Sequence, residues 1–184
     1  MVQMADARRQ ARRYGVAMHV RPAVPTDFPA LKPMLLDMGF VEDGAALEAR
    51  FPSFCGDPLR PLLVAETGGG EADGGGMIGY ALLHDYGPHL RSGNSHRTAK
   101  LEDLYTAPAW RRRGVARLLM TAVEDWARAG LLRHVFWYAN THEAGPAYVR
   151  MGYCHADAGQ EGFLFFEIDF GNPADRLPHP QRGS

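Results

Sequence analysis

Cysteine is scarce in this chain: only Cys55 and Cys154 occur in 184 residues. Two are too few for a disulfide framework or a zinc site, and they read as packed thiols of a reducing compartment. No apolar run approaches the roughly 20 residues of a membrane span, and no signal-peptide apolar region is present. Net charge is nearly absent as well, at −1, so nothing global draws the chain to nucleic acid or to a membrane surface. His84, His89 and His96, on and around the stretch Asp85–Arg97, lack metal-ligand spacing, and no metal is expected. What is present, 46% hydrophobic and 22% charged residues, is the composition of a soluble globular protein. The length suits one domain that buries its core without staples. Together these features predict a cytoplasmic protein.

The most informative stretch is Leu101–Gly130. Leu101-Glu-Asp-Leu-Tyr-Thr106 alternates as a strand does, and Pro108 ends it because proline has no N–H for a ladder. From Gly114 the spacing turns helical, with Val115, Leu118, Leu119, Ala122, Val123 and Trp126 on one face and Gly130 closing the helix. A strand therefore passes through a short Arg/Gly turn into a helix. The first helical amides have no internal partner and carry the positive end of the helix dipole. Arg111, Arg112 and Arg113 add full charge, and Gly114 leaves the approach open. Such a turn suits a pyrophosphate. Taken alone, it reads equally as a basic, solvated helix start.

Its neighbours decide between the two. Arg111-x-x-Gly114-x-Ala116 resembles the signature by which the GNAT superfamily of acyl-CoA-dependent N-acyltransferases holds the CoA pyrophosphate. Leu101-Glu-Asp-Leu-Tyr105 ahead of it resembles one branch, the spermidine/spermine and thialysine N-acetyltransferases. Ala144-x-x-x-Tyr148-x-x-x-Gly152-Tyr153 is similar to the second family motif, whose tyrosine is the usual general acid. Asn140 lies four residues before Ala144, where the family has three, and Thr141 occupies the regular place. The resemblance spans roughly Met18 to Phe170. It implies an α+β fold: a mixed, mostly antiparallel sheet, flanked by helices, whose central parallel strands Lys100–Thr106 and His134–Ala139 splay apart to admit the pantetheine arm.

Along the chain, Met1–Gly15 carries Arg8, Arg9, Arg12 and Arg13 against Asp6. That suits a transit peptide or a nucleic-acid arm, or an upstream-extended start with Met18 as the natural beginning; the last is preferred, with weak order before Ala17. Residues 1–16 are thus an extension, 17–170 the domain and 171–184 a disordered tail. Val20–Ala23 resembles a first strand of the family. A helix follows with Phe28, Leu31, Leu35 and Met38 buried, Thr26 or Asp27 capping it, Pro33 kinking or shortening it and Gly39 stopping it. The acidic loop Phe40–Asp43 leads to a second helix near Ala45–Phe51, which Glu42 and Asp43 suit as a cap. Pro61–Glu66 and Met77–His84 read as strands of a hairpin whose glycine-rich loop is too unfixed for a phosphate. Asp85–Arg97 reads as a long loop beside the active site. The run His134–Ala139 suits a fully buried strand, and Gln160–Phe170 resembles the family's last strand.

The activity implied is acetyl transfer from acetyl-CoA to a small aliphatic amine, a di- or polyamine or a lysine-like amine. A peptide or protein amine, or a non-catalytic acyl-CoA-binding module, stays open as an alternative. Glu102 is the expected base and Tyr148 the expected acid. The resemblance assigns Leu104, Tyr105, Thr106, Arg111, Arg112, Arg113, Gly114, Val115, Ala116, Arg117, Asn140 and Tyr148 to acetyl-CoA. It assigns Glu42, Glu102 and Glu161 to the amine, and it implies a homodimer.

Overall fold

The structure is a computed structural model, and it describes residues 17–39, 41, 43–68 and 76–173. The expectations for residues 1–16, for Glu42 and for the tail beyond residue 173 lie outside the described residues. Seven strands, β1 (Met18–Pro22), β2 (Leu62–Thr67), β3 (Met77–Asp85), β4 (Thr98–Thr106), β5 (His134–Asn140), β6 (His155–Asp157) and β7 (Phe163–Asp169), form one sheet in the order β1-β2-β3-β4-β5-β7-β6. Four helices accompany them: α1 (Phe28–Met38), α2 (Gly44–Phe54), α3 (Val115–Ala129) and α4 (Ala144–Met151). β4 and β5 are the parallel pair, so the mixed α+β architecture holds. Among the described residues no helix is long and apolar enough to cross a membrane.

The chain divides into two compact units, Met1–His84 with Leu101–Glu124, and Asp85–Lys100 with Asp125–Ser184. In the first, β1 and β3 flank β2 antiparallel, with Val20 opposite Ala65 and Val64 opposite Tyr80. Phe28, Leu31 and Met34 of α1 and Phe51 of α2 pack with Leu62, Val64, Tyr80 and Tyr105 into one buried cluster. Gly79, next to Tyr80, points to the other sheet face, as alternation requires. A Cβ there would lie 2.4 Å from the Tyr105 carbonyl oxygen and 3.1 Å from Val115 Cγ1. Helices therefore cover both faces of β3.

Several local expectations change. Met38 is exposed and Leu35 only partly buried, because the α1 stripe runs through Phe28, Leu31 and Met34. Pro33 does not shorten α1: its ring is on the solvent side, and Leu31 and Met34 hold the helix on the core through Met38. Asp27 does not cap α1 with its side chain: its Oδ2 accepts from the Val24 amide at 2.8 Å, at the head of the preceding 3₁₀ turn Pro25–Asp27, and Arg21 donates to both its oxygens at 2.7 and 2.8 Å. Asp43 does cap α2, accepting from the Ala45 and Ala46 amides at 2.8 and 3.2 Å. In α3 the buried positions are Val115, Leu119, Met120, Val123 and Ala127, with Leu118, Ala122 and Trp126 at the margin.

In the second unit the β4–β5 ladder pairs Thr98–Lys100 with His134–Phe136 and stops there. β7 pairs β5 antiparallel along its whole length, and β6 pairs β7. β5 is not buried on both faces: Val135, Trp137 and Ala139 point inward, and Tyr138 is 47% exposed. The sequence reading missed β6, a three-residue strand exposed throughout, because nothing apolar alternates in it. Asp85, fully buried, accepts from Arg97 Nε at 3.1 and 3.2 Å and from the Gly87 amide at 2.8 Å. Arg97 also donates to the Gly130 carbonyl at 3.2 Å.

Arg21 is the electrostatic centre of β1, shared by Asp27 and by Glu66, which its Nε and Nη2 reach at 3.1 and 2.9 Å. Those hydrogen bonds hold both carboxyls below their ordinary range. A carboxyl with a lowered folded pKa adds stability above its unfolded pKa of about 4, and that stability disappears as pH falls through the folded value. Arg21→Met should therefore cost about 2 kcal/mol at pH 7, and urea titrations of the two proteins should converge as pH falls through the lowered folded values of Asp27 and Glu66. A stability difference that stays constant with pH would contradict this.

Candidate active site

The first unit contains the strand, turn and helix singled out in the sequence. Past Thr106 the chain makes a 3₁₀ turn at Pro108–Trp110 and reaches Arg111 in extended geometry. Arg112 then takes φ 62° and Gly114 φ 91°, both in the left-handed region. Such reversals turn successive backbone N–H groups toward one side, making an anion-binding concavity. At Gly114 a Cβ would meet nothing within 4 Å: the position is open in space and restricted only by its backbone angle, which favours glycine. The Leu118 amide bonds the Gly114 carbonyl at 2.9 Å, so α3 begins at this glycine. Arg111 Nε donates to the Thr106 carbonyl at 3.3 Å, and the Arg113 guanidinium lies 5.2 Å over the Trp110 ring. Both cations are thereby held beside the turn while remaining exposed. These residues fit a pyrophosphate.

β4 holds one residue more than the strand beside it. The Tyr86 amide bonds the Thr98 carbonyl, and the Ala107 amide bonds the Ile78 carbonyl. From Thr98 to Ala107 is nine steps, and from Tyr86 back to Ile78 only eight. Antiparallel partners keep step in a regular ladder, so β4 bulges between these bonds. The side chains locate the extra residue. Tyr80 and His84 share one face of β3. Tyr80 meets Asp103 at 3.5 Å and stacks on Tyr105 at 5.7 Å, while His84 meets Glu102 at 3.8 Å. Consecutive residues of a regular strand point to opposite faces, yet Glu102 and Asp103 both reach this one. A bulge leaves backbone groups outside the ladder, and this one stands directly before Leu104 and Tyr105.

Tyr105, 7% exposed, donates its hydroxyl to Asp37 Oδ2 at 2.6 Å. Burial and then the Asp37 carboxylate push its phenol up to about 12. Burial, followed by Asp103, likewise raises the Tyr80 phenol. One face of the first unit therefore gathers Asp37, Glu102 and Asp103 with His84, Tyr80 and Tyr105. Asp37, Tyr80 and the pairing of His84 with Glu102 escaped the sequence reading. The only signal for His84 was its place at the end of a strand neighbouring Glu102.

The second unit carries the other sequence-predicted residues. Asn140 ends β5, and its Oδ1 accepts from the His142, Glu143 and Ala144 amides at 3.2, 2.7 and 3.2 Å, closing the turn into α4. Any contact of its side chain to a pantetheine arm thus falls to the amide nitrogen. Tyr148, 6% exposed, packs its ring 5.1 Å from Trp137 and 5.3 Å from Phe166. Burial raises its phenol well above the ordinary value, so it keeps its proton at neutral pH. Gly152 ends α4 at φ 99°. Glu161 is exposed in the turn before β7, where the Thr141 amide holds the Gly162 carbonyl at 2.9 Å. Among the described residues no group of His, Cys, Asp or Glu could hold a metal ion.

Residues 29–153 match the model of the acetyltransferase (GNAT) family. No curated protein sequence matches the chain. Among solved structures, a variant of spermidine N-acetyltransferase from Vibrio cholerae is similar, at 16% identity, 86% coverage of this chain, 97% of that one and a TM-score of 0.64. Arabidopsis thaliana NAA60 in complex with acetyl-CoA aligns at 15% identity, 84% and 100% coverage and a TM-score of 0.63. Aminoglycoside 6'-N-acetyltransferase from Acinetobacter baumannii aligns at 16% identity, 77% and 93% coverage and a TM-score of 0.62. At such identities these likenesses speak for the fold. Gly114→Glu should abolish CoA binding, since it brings a negative side chain and a strained backbone to the anion turn. Calorimetry returning the wild-type affinity would remove the pyrophosphate from this turn.

Proposed function

The chain belongs to the acetyltransferase (GNAT) family and uses acetyl-CoA as co-substrate; on that premise we propose that its acceptor is a short di- or polyamine. The observation that supports a cationic acceptor is the face of the first unit where Asp37, Glu102 and Asp103 gather around His84, Tyr80 and Tyr105. Glu42 and Glu161, which the resemblance assigns to the amine, extend the argument to an acceptor with a second charge.

An aliphatic ammonium with a pKa near 10.4 must lose a proton before it attacks, at a cost of roughly 4–5 kcal/mol at pH 7. Glu102 serves as base, receiving that proton through a water, because direct contact with the carboxylate would stabilise the ammonium instead. When bound, acetyl-CoA supplies the activated acetyl group as a thioester. In this reading backbone amides near Leu104 and Tyr105 polarise the thioester carbonyl oxygen. The family resemblance assigns Leu104, Tyr105, Thr106 and Asn140 to the acyl and pantetheine end, and Arg111, Arg112, Arg113, Gly114, Val115, Ala116 and Arg117 to the pyrophosphate. Tyr148, whose buried phenol stays protonated, returns a proton to the departing thiolate. The balance is one amine N–H and one C–S bond broken, and one C–N and one S–H bond formed. The same reading makes the enzyme a cytoplasmic homodimer, supported by its two free cysteines and by the family branch.

Two measurements test this. Tyr148→Phe should lower kcat about 100-fold or more while leaving acetyl-CoA affinity near wild type; wild-type turnover at every pH would move the acid elsewhere. Glu161→Gln or Glu42→Gln should raise KM for a diamine far more than for a monoamine of equal length, each charged contact contributing roughly 1.5–3 kcal/mol. Equal effects on the two substrates would reopen the identity of the acceptor.

A further inference from the structure

The carboxylate of Asp37 stands where helix electrostatics disfavour it. It is the penultimate residue of α1, whose last turn holds no basic residue. The carbonyls there form the negative end of the dipole, which favours a cation. Helix stability therefore does not explain Asp37, whose carboxylate reaches across to β4: the Tyr105 hydroxyl donates to it at 2.6 Å. That bond is short and charge-assisted, of the stronger kind, and it starts from a fixed base. The Tyr105 ring is 7% exposed, stacked on Tyr80 at 5.7 Å and 20° and packed in the same cluster as Phe28, Leu31 and Met34 of α1. Tyr105 thus shares a buried cluster with α1 through its ring and bonds the helix's end through its hydroxyl. Two residues beyond Asp37, Gly39 breaks the helix at φ 92°.

Tyr105 also has a second connection. Its main chain follows the bulge directly, and its ring lies on the face of β3 and β4 to which Glu102 turns toward His84. The C-terminal turn of α1 therefore stands over the same face as the candidate base. We propose that Tyr105 is a positioning residue for the amine acceptor. Its phenol, through Asp37, registers the end of α1 against β4, so that an ammonium approaching Glu102 meets a fixed wall. This rests on the acetyltransferase reading for its kinetic consequence. The two elements joined, and the bond that joins them, are independent of that reading.

Tyr105→Phe keeps the ring, the stack and the backbone and removes only the hydroxyl. KM for the amine should rise roughly tenfold, the effect of losing one charge-assisted hydrogen bond. Acetyl-CoA affinity should stay within about twofold, since the backbone amide is retained. Asp37→Ala should reproduce that rise, Asp37→Asn, which still accepts the bond, should restore most of the wild-type KM, and the Tyr105→Phe/Asp37→Ala double variant should be no worse than either single one. Additive effects, or an Asp37→Asn defect as large as that of Asp37→Ala beside an unaffected Tyr105→Phe, would overturn the proposal and make Asp37 a direct reader of charge. A uniform loss of kcat and acetyl-CoA affinity in Tyr105→Phe would reduce the bond to a structural one. If the wild-type chain acetylates no amine, the functional reading fails. Hydrogen exchange then tests the tether alone: Tyr105→Phe should speed exchange of the last amides of α1, from Leu35 to Gly39, and unchanged protection there would refute it.

Discussion

The extra residue in β4 is the constraint on which the rest of the first unit depends. Without it, Glu102 and Asp103 would point to opposite sides of the sheet, and the face over β3 could hold one carboxylate or the other. With it, Glu102 meets His84 and Asp103 meets Tyr80 on a single face. The bulge is confined by its surroundings. Gly79 lies so close to the Tyr105 carbonyl that a Cβ would be 2.4 Å away, and the Ala107 amide resumes the ladder with Ile78 at 2.9 Å. The strand must then pass through the short Pro108–Trp110 turn into Arg111–Gly114, because Val115 and Leu119 of α3 pack against the same glycine.

Charge within the first unit is divided accordingly. The strand's end leads into three exposed arginines at a helix start, a field for an anion. Its bulged part carries Glu102 and Asp103, with Asp37 brought to the same face from α1, a field for a cation. A net charge of −1 conceals this separation completely. Net charge is therefore uninformative about a small charged substrate. Two opposite local fields along one strand suit a reaction that brings a polyanionic co-substrate to a cationic acceptor.

What could be read from the chain beforehand follows the range of each signal. The Pro108 stop, the change from alternate to helical spacing at Gly114 and the Gly152 cap are local, and each stands where the spacing placed it. Pro33 does not shorten α1, because an exposed ring costs one hydrogen bond while two buried neighbours hold the helix. Asp27 looked like a cap for α1 because Asp is a favoured cap residue, but its side chain closes the 3₁₀ turn ahead of the helix through the Val24 amide while also accepting from Arg21. β5 looked fully buried because aromatic residues were counted as core, and Tyr138 in fact stands in solvent at 47%. β6 has no pattern of its own and exists only because β7 offers it an edge.

By itself, then, the sequence determined the order of the elements other than β6 and the course of the Arg111–Ala116 turn, since both depend on residues within a few positions of one another. Glycine's backbone freedom, proline's missing donor and helical periodicity act at that range. Tertiary structure decided what the acidic residues face. The Tyr105–Asp37 bond joins residues 68 positions apart, and the bulge appears only when the hydrogen bonds at the two ends of β4 are compared. A side chain's partner across a fold depends on strand register and helix docking, and both are set by packing of the whole core rather than by any local stretch of chain.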